Sequence, residues 1–436
     1  MKRFPLLLSV GGVLAVGADR PDLPPVLTLP QALDIALKNS TNIRTAMAQL
    51  DQAKGQYEQY RSSLLPQLDL HARQSLLTVN LVGLGVPVTG ETGKIGPFGS
   101  MDARIFLTQE LFNLADRRAW QSARWRQNSA QFMVGDAREL VALNVVAAYL
   151  EALRNKATRD SLAAQGTLAG DLYKITRERV TQGVAAELEA NRAMQQVNSL
   201  EQQRQEADQS YIVAKLNLAK ILQAKVTSNY EVADPAAYGA GGPPDRVATI
   251  QAALASRAEY RSLEASVKAA ELGVKSARAS RLPTLRMGFS DGQSGNSPVN
   301  NVNVYSLSGI VDFPIFDGGF IHGEIEEAKG VLREARAALD QGRSQIETEV
   351  LTSISGVESA LKEVATSEAN VKLSQQEVEL ARQRFTQGIA DNTEVVNAQD
   401  RLERAADARI RAEFNLGLAR ADLARASGVA EKTYRR

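Results

Sequence analysis

This sequence predicts a mainly α-helical fold with a β-barrel part, and three observations carry that prediction. Apolar residues recur at steps of three, four and seven along two very long stretches of each chain. The chain repeats itself once, so that each half carries one of those stretches. Within each half the period drops to two over a pair of short segments, the mark of β-strands with unlike faces.

The repeat is read from two anchors. Ser63-Leu64-Leu65-Pro66-Gln67-Leu68 returns as Ser280-Arg281-Leu282-Pro283-Thr284-Leu285, 217 positions on. Arg179-Val180-Thr181-Gln182-Gly183-Val184-Ala185 returns as Arg384-Phe385-Thr386-Gln387-Gly388-Ile389-Ala390, 205 positions on, with five of seven residues identical. The first half therefore holds about a dozen extra residues between Pro66 and Phe112, where a loop belongs.

In chain order, residues 1–18 read as a signal peptide. Met1, Lys2 and Arg3 supply charge, residues 6–16 an apolar core, and Val16-Gly17-Ala18 a small-residue cleavage site, leaving Asp19 first. That run is too short to span a bilayer as a helix, which takes roughly 20 residues. The first repeat covers 19–235, with an opening helix at 29–64, a hairpin within 67–112, a long helix at 115–182 and a return helix at 187–224. A Pro- and Gly-rich stretch makes 236–246 the linker. The second repeat, 247–430, follows the same order: helix 250–281, hairpin within 284–316, long helix through 325–385, return helix 391–427. Residues 431–436 are expected as a tail. A helix of about 68 residues is on the order of 100 Å long. Each ends at Thr-Gln-Gly, glycine being the usual residue of the left-handed turn past a helix.

Four alternating strands cannot stand alone, because a hairpin is marginal and its edges seek partners. Apolar-out, polar-in alternation is the pattern of a transmembrane β-barrel, which must close because lipid satisfies no backbone group. One chain therefore needs other copies: two would give 8 strands and three would give 12.

Composition excludes much else. Among 436 residues, 51 Lys and Arg face 50 Asp and Glu, so no long-range field draws in nucleic acid. No cysteine is present, which removes disulfides, thiol nucleophiles and thiolate metal sites. Two histidines, His71 and His322, lie 251 positions apart and offer no paired ligand set. Thr92-Gly93-Lys94 lacks the earlier glycine and the following Ser/Thr of a phosphate loop. Nothing here predicts an enzyme, a cofactor or a metal centre.

The openings Leu29-Pro30-Gln31-Ala32-Leu33-Asp34-Ile35-Ala36-Leu37-Lys38-Asn39 and Ile250-Gln251-Ala252-Ala253-Leu254-Ala255-Ser256-Arg257 resemble those of the TolC-like outer-membrane efflux proteins. So do the Leu-Pro before each hairpin, Leu111-Phe112-Asn113 and Ile315-Phe316-Asp317-Gly318-Gly319 after it, and the Gln-Gly turns. The resemblance spans nearly all of 27–428. It implies a homotrimer with a 12-stranded outer-membrane barrel continued by an α-helical barrel through the periplasm. It also implies a passive exit duct in an efflux or type I secretion system, fed by an inner-membrane transporter and a periplasmic adaptor. By the same resemblance, Thr181, Gln182, Gly183, Val184, Thr386, Gln387, Gly388 and Ile389 form the adaptor-docking tips. Glu394 and Asn397 stand where the family often carries two acidic residues at the pore constriction. The competing expectation is an exported coiled-coil scaffold with no pore; lipid-facing strands argue against it.

Overall fold

The computed structural model describes residues 20–435 except 82, 84, 86–92 and 234–241. The expected signal peptide lies outside the described residues, as does most of the expected linker. The first repeat comprises β1 (Val26–Leu27), α1 (Leu29–Asn39), α2 (Thr41–Ser62), β2 (Gln67–Asn80), β3 (Lys94–Phe112), α3 (Leu114–Thr181), α4 (Glu187–Ile221) and β4 (Glu231–Val232). The second comprises α5 (Arg246–Ser256), α6 (Ala258–Ala279), β5 (Thr284–Gly295), β6 (Asn301–Asp312), α7 (Phe320–Thr386), α8 (Asn392–Ala426) and α9 (Ala430–Tyr434).

Helices α3 and α7 run 68 and 67 residues, on the order of 100 Å each at 1.5 Å per residue. Their starts are set by equivalent side chains. Asn113 accepts from the Asp116 N–H at 3.0 Å, while Asp317 accepts from the N–H groups of Gly319 and Ile321 at 2.9 and 2.8 Å. Those donors hold the Asp317 carboxyl below the usual carboxylate range.

The sheet runs β2-β3-β5-β6, antiparallel throughout. The helices continue it in the same order. Helix α3 packs on α2 and α6, and α7 on α6, next to the sheet; further away α4 and α8 replace α2 and α6 as their neighbours. The protomer is thus one wall, strands at one end and two helix-turn-helix tips at the other.

The expected opening helices are each broken. Ser40 and Arg257 take extended backbone (φ −56°, ψ 128° and φ −62°, ψ 122°), splitting α1 from α2 and α5 from α6. These residues are 217 apart, so the break belongs to the repeat. The freed short helices clamp the middle of the wall. The largest core lies there, with Leu33, Tyr149, Leu150, Leu218 and Leu222 fully buried. The Tyr149 hydroxyl sits 2.8 Å from the Leu27 carbonyl and 2.6 Å from that of Ala233, fastening the β1–β4 bridge to α3. Where a tail is expected, α9 docks on α3: Arg138 donates to Glu431 at 2.8 Å, and Glu139 accepts from the Ala430 N–H at 2.7 Å.

Side-chain volume is exchanged between the halves. Ala46 and Ala137 share one small cluster of the α2–α3 seam. Their counterparts are Leu263 and Gly342, and a Cβ on Gly342 would meet Leu263 Cδ1 at 2.4 Å. A larger residue on one helix is matched by a smaller one on the other, as a close-packed seam requires.

The residues closing α4 and α8 differ in kind. Gln223 (φ 53°) and Gly428 (φ 69°) both adopt the left-handed conformation, although only glycine does so without a Cβ penalty. A Cβ on Gly428 would also lie 3.2 Å from the Arg257 N and Cα. Gly428→Gln is therefore expected to cost about 1–2 kcal/mol or more, and Gln223→Gly to leave stability unchanged or raise it by about 1 kcal/mol. Thermal unfolding of the solubilised protein, followed by helical circular dichroism, ranks the three midpoints.

Candidate functional site

The sheet has the two faces the alternation predicts. In register, Leu68 pairs with Leu107, Leu70 with Ile105, Leu107 with Phe289, and Phe289 with Leu307, giving one apolar face across all four strands. Leu70 and Leu307 are 72% and 69% exposed, so none of the described residues covers them. Asp69, His71, Arg73, Asp102, Arg104 and Arg286 share the other face. Arg104 pairs with Asp102 at 2.7 Å and Arg286 with Asp312 at 3.2 Å.

Two residues on the polar face depart from a plain lumenal surface. Phe106 falls on the polar face, with His71 stacked at 4.9 Å and the Arg104 guanidinium 5.2 Å from its centroid. Ser290, paired with Phe106 and Ser306, is buried. By alternation Ser290 falls on the same face as Arg286, and the neighbouring Phe106 ring is why it is covered there. Towards the hairpin loops the apolar face ends at Tyr305, Asp291 and Asn303, where Asn303 donates to Asp291 at 3.3 Å. At the helical end, Phe112, Phe313, Phe316 and Phe320 are all exposed. Aromatic side chains at the rims of an apolar band, here Tyr305 at one and four phenylalanines at the other, fit the pattern of an outer-membrane barrel.

The tips are equivalent turns. The N–H of Val184 donates to the Arg179 carbonyl and that of Ile389 to the Arg384 carbonyl, each at 3.0 Å, around Gly183 (φ 72°) and Gly388 (φ 74°). This is the Schellman end of a helix, and the positive φ is why glycine stands there. Thr181 and Thr386 turn their hydroxyls back onto the Glu178 and Gln383 carbonyls. Gln182 and Gln387 are exposed, and Val184 and Ile389 stand 62% and 65% exposed at the extremity.

Glu394 and Asn397 lie on the first turns of α8. Asn397 is exposed, whereas the Glu394 carboxylate pairs with Arg384 at 3.2 Å. The charge attributed to Glu394 is therefore partly neutralised within its own hairpin.

Sequence reasoning misses the contacts that join the two hairpins. Arg179 donates to the Phe385 carbonyl at 2.7 Å and covers the Phe385 ring at 4.6 Å. Arg192 donates to Thr393 at 3.1 Å, Gln196 to Asp400 at 2.7 Å, and the buried Asn392 side chain to the Glu189 carbonyl at 3.0 Å. Further up α8, burial and then the neighbouring Asp400 and Asp407 push the Glu403 carboxyl up. The available signal was the repetition of Arg179 as Arg384, which a helix cap does not need. Among the described residues no group of three or more acidic or histidine side chains could hold a metal, and no helix is long and apolar enough to cross a membrane.

An open wall with a lipid-type strand face at one end and long helices at the other defines a subunit of an outer-membrane channel. The chain belongs to the outer membrane efflux protein family, whose sequence model matches residues 32–223 and 249–429. It is 24% identical over 407 residues to the pyoverdine export outer membrane protein OpmQ of Pseudomonas putida, covering 89% of this chain and 83% of that protein. It is 22% identical over 428 residues to the alkaline protease secretion protein AprF of Pseudomonas aeruginosa, covering 93% and 85%. Among solved structures, the Campylobacter jejuni CmeC outer membrane channel superposes with a TM-score of 0.78 at 21% identity, over 92% of this chain and 86% of that one. The outer membrane protein VceC of Vibrio cholerae gives 0.78 at 19% identity, over 92% and 96%. The protein is an outer-membrane export channel, its strands in the outer membrane and its helices in the periplasm. The pore-free scaffold is set aside.

Proposed function

We propose that three copies join edge to edge into a 12-stranded barrel continued by a helical tunnel, a passive duct for substrates delivered by an inner-membrane transporter and a periplasmic adaptor. The observation that carries this reading is the open wall: β2 and β6 are both edge strands of the sheet, and lipid tolerates no open edge. Two copies would close 8 strands, whose interior side chains fill, so a duct favours three. The family resemblance supports the same number. Particle imaging of the detergent-extracted protein tests it: a three-fold ring is expected, and a two-fold or monomeric particle would overturn it.

The adaptor docks on the tips, Thr181 to Val184 and Thr386 to Ile389. Exposed apolar residues at both extremities support this, since such groups are costly unless a partner covers them. Glu394 lines the constriction beside Asn397. Because Arg384 is its partner, Glu394→Gln removes an anion and also frees a cation. In planar-bilayer recordings that variant is expected to lose cation selectivity, and Arg384→Gln to gain it. Equal selectivity in both would return Glu394 to a solvated helix face.

A further inference from the structure

The internal repeat makes the contact between halves a template for the contact between copies. Helix order α2-α3-α6-α7 is two repeats of one pair. The α3–α6 seam inside the chain therefore has one equivalent, between α7 and the α2 that follows it around a closed ring. From the seam to the tips, positions on α3 and α7 correspond at an offset of 205, one more than Asn113 and Asp317 at the helix starts, and those on α2 and α6 at 217. The Ala46–Ala137 and Leu263–Gly342 exchange confirms both offsets within packed seams.

Three contacts fix the register of the internal seam. The Ser129 hydroxyl lies 2.8 Å from that of Ser262 and 3.0 Å from that of Ser266. A Cβ on Gly135 would sit 3.2 Å from the Ala258 Cβ. The Arg261 guanidinium lies 4.8 Å from the Phe132 ring centroid. Carried over, Ser129 becomes Glu334, and Ser262 and Ser266 become Thr45 and Gln49. Gly135 becomes Asp340 opposite Thr41, and Arg261 becomes Arg44 opposite Ala337, one turn from Asp340.

We propose that the exposed edge of α7 seats α2 of a second copy in this register, with Glu334 against Thr45 and Gln49, and Asp340 against Thr41 and Arg44. This rests on the trimer reading and adds its seam. Thr41, Arg44, Thr45, Gln49, Glu334 and Asp340 are all exposed in the protomer, and Arg44 donates to Thr41 of its own helix at 3.3 Å. Charge is complementary at the Thr41 end of α2, because α7 offers Glu334 and Asp340 where α2 offers Arg44 among neutral Thr and Gln. Further along, Lys268 over the Trp125 ring carries over to Asp51 opposite Gly330, and Asp51 keeps its own partner in Lys54 at 2.9 Å. The unpaired edges of β2 and β6 continue the same seam into the sheet.

The absence of cysteine makes the register directly measurable. Thr45→Cys/Glu334→Cys in the full chain is expected to oxidise into covalent dimers and trimers. Ser129→Cys/Ser262→Cys should close within one chain without raising its mass. Thr45→Cys/Gln341→Cys, two turns out of register, should stay monomeric on denaturing gels. A trimer by native sizing that links through Gln341 rather than Glu334 overturns the seam and spares the trimer. Loss of every oligomer in the unmutated protein overturns both. A linked product whose mass is no multiple of the chain's shows another protein on the edge and overturns the proposal. Independently, Arg44→Asp is expected to lower the dissociation temperature of the oligomer and Arg44→Asp/Asp340→Arg to restore it; no restoration counts against the register.

Discussion

Val184→Asp or Ile389→Asp is expected to reduce pump-dependent export to background while folding and assembly persist. Both residues follow the left-handed glycine of a Schellman turn, where an apolar side chain usually folds back on the last helical turn. That structural use accounts for little here, because Val184 and Ile389 remain 62% and 65% exposed. The turn itself depends on Gly183 and Gly388 and on the backbone bonds from Val184 and Ile389 to Arg179 and Arg384, none of which needs an apolar side chain. An aspartate at either tip therefore leaves α3 and α7 capped. In the docked state it would be a carboxylate pressed into an apolar contact, costing at least about 2 kcal/mol at every copy of the tip. Export of a reporter substrate, with oligomer recovery measured alongside, separates the two effects. Export at the unmutated level in both variants would reduce these residues to parts of a helix cap.

The long-range plan of this fold was written in features that have a period. Helices α3 and α7 were legible to within a few residues because their apolar stripe persists for more than a dozen turns and glycine marks the end. The strands were legible because one face must meet lipid. What escaped was local or distant. The breaks at Ser40 and Arg257 leave the apolar phase undisturbed on both sides, so periodicity runs straight through them. The β1–β4 bridge is two residues long and exists only because Tyr149 and the surrounding core hold it. At the tips, the glycines announced themselves through chirality, but the Arg179–Phe385 contact joins residues 206 apart and follows only once the two hairpins lie side by side. The pairing of Glu394 with Arg384 was hidden for the same reason: it crosses from one helix of the hairpin to the other.

Arginine at Leu307 or Met287 is expected to abolish outer-membrane assembly, whereas Ser306→Arg should assemble normally. Leu307 pairs in register with Phe289, which pairs with Leu107, and Leu107 with Leu68, so it sits in an apolar row that crosses the whole sheet. Met287 lies on the same face two residues from Phe289. An arginine there would meet hydrocarbon and cost about 2–4 kcal/mol at the midplane. Every copy carries the substitution, so the cost recurs around the ring, and a few kcal/mol per copy is comparable with the stability of a whole domain. Ser306 is exposed on the opposite face, in the register row that runs through Ser290 and Phe106 to Asp69, and the same face holds Arg104 and Arg286. A charge there enters the lumen and keeps its water. Ser290 would be a poor control despite sharing that face, since the Phe106 ring leaves it buried. The measurement is recovery of heat-modifiable oligomer in the outer-membrane fraction, with helical content of the unassembled chain as a check that the periplasmic part still folds. Equal recovery of Leu307→Arg and Ser306→Arg would mean that neither face meets lipid, and the barrel assignment would fall.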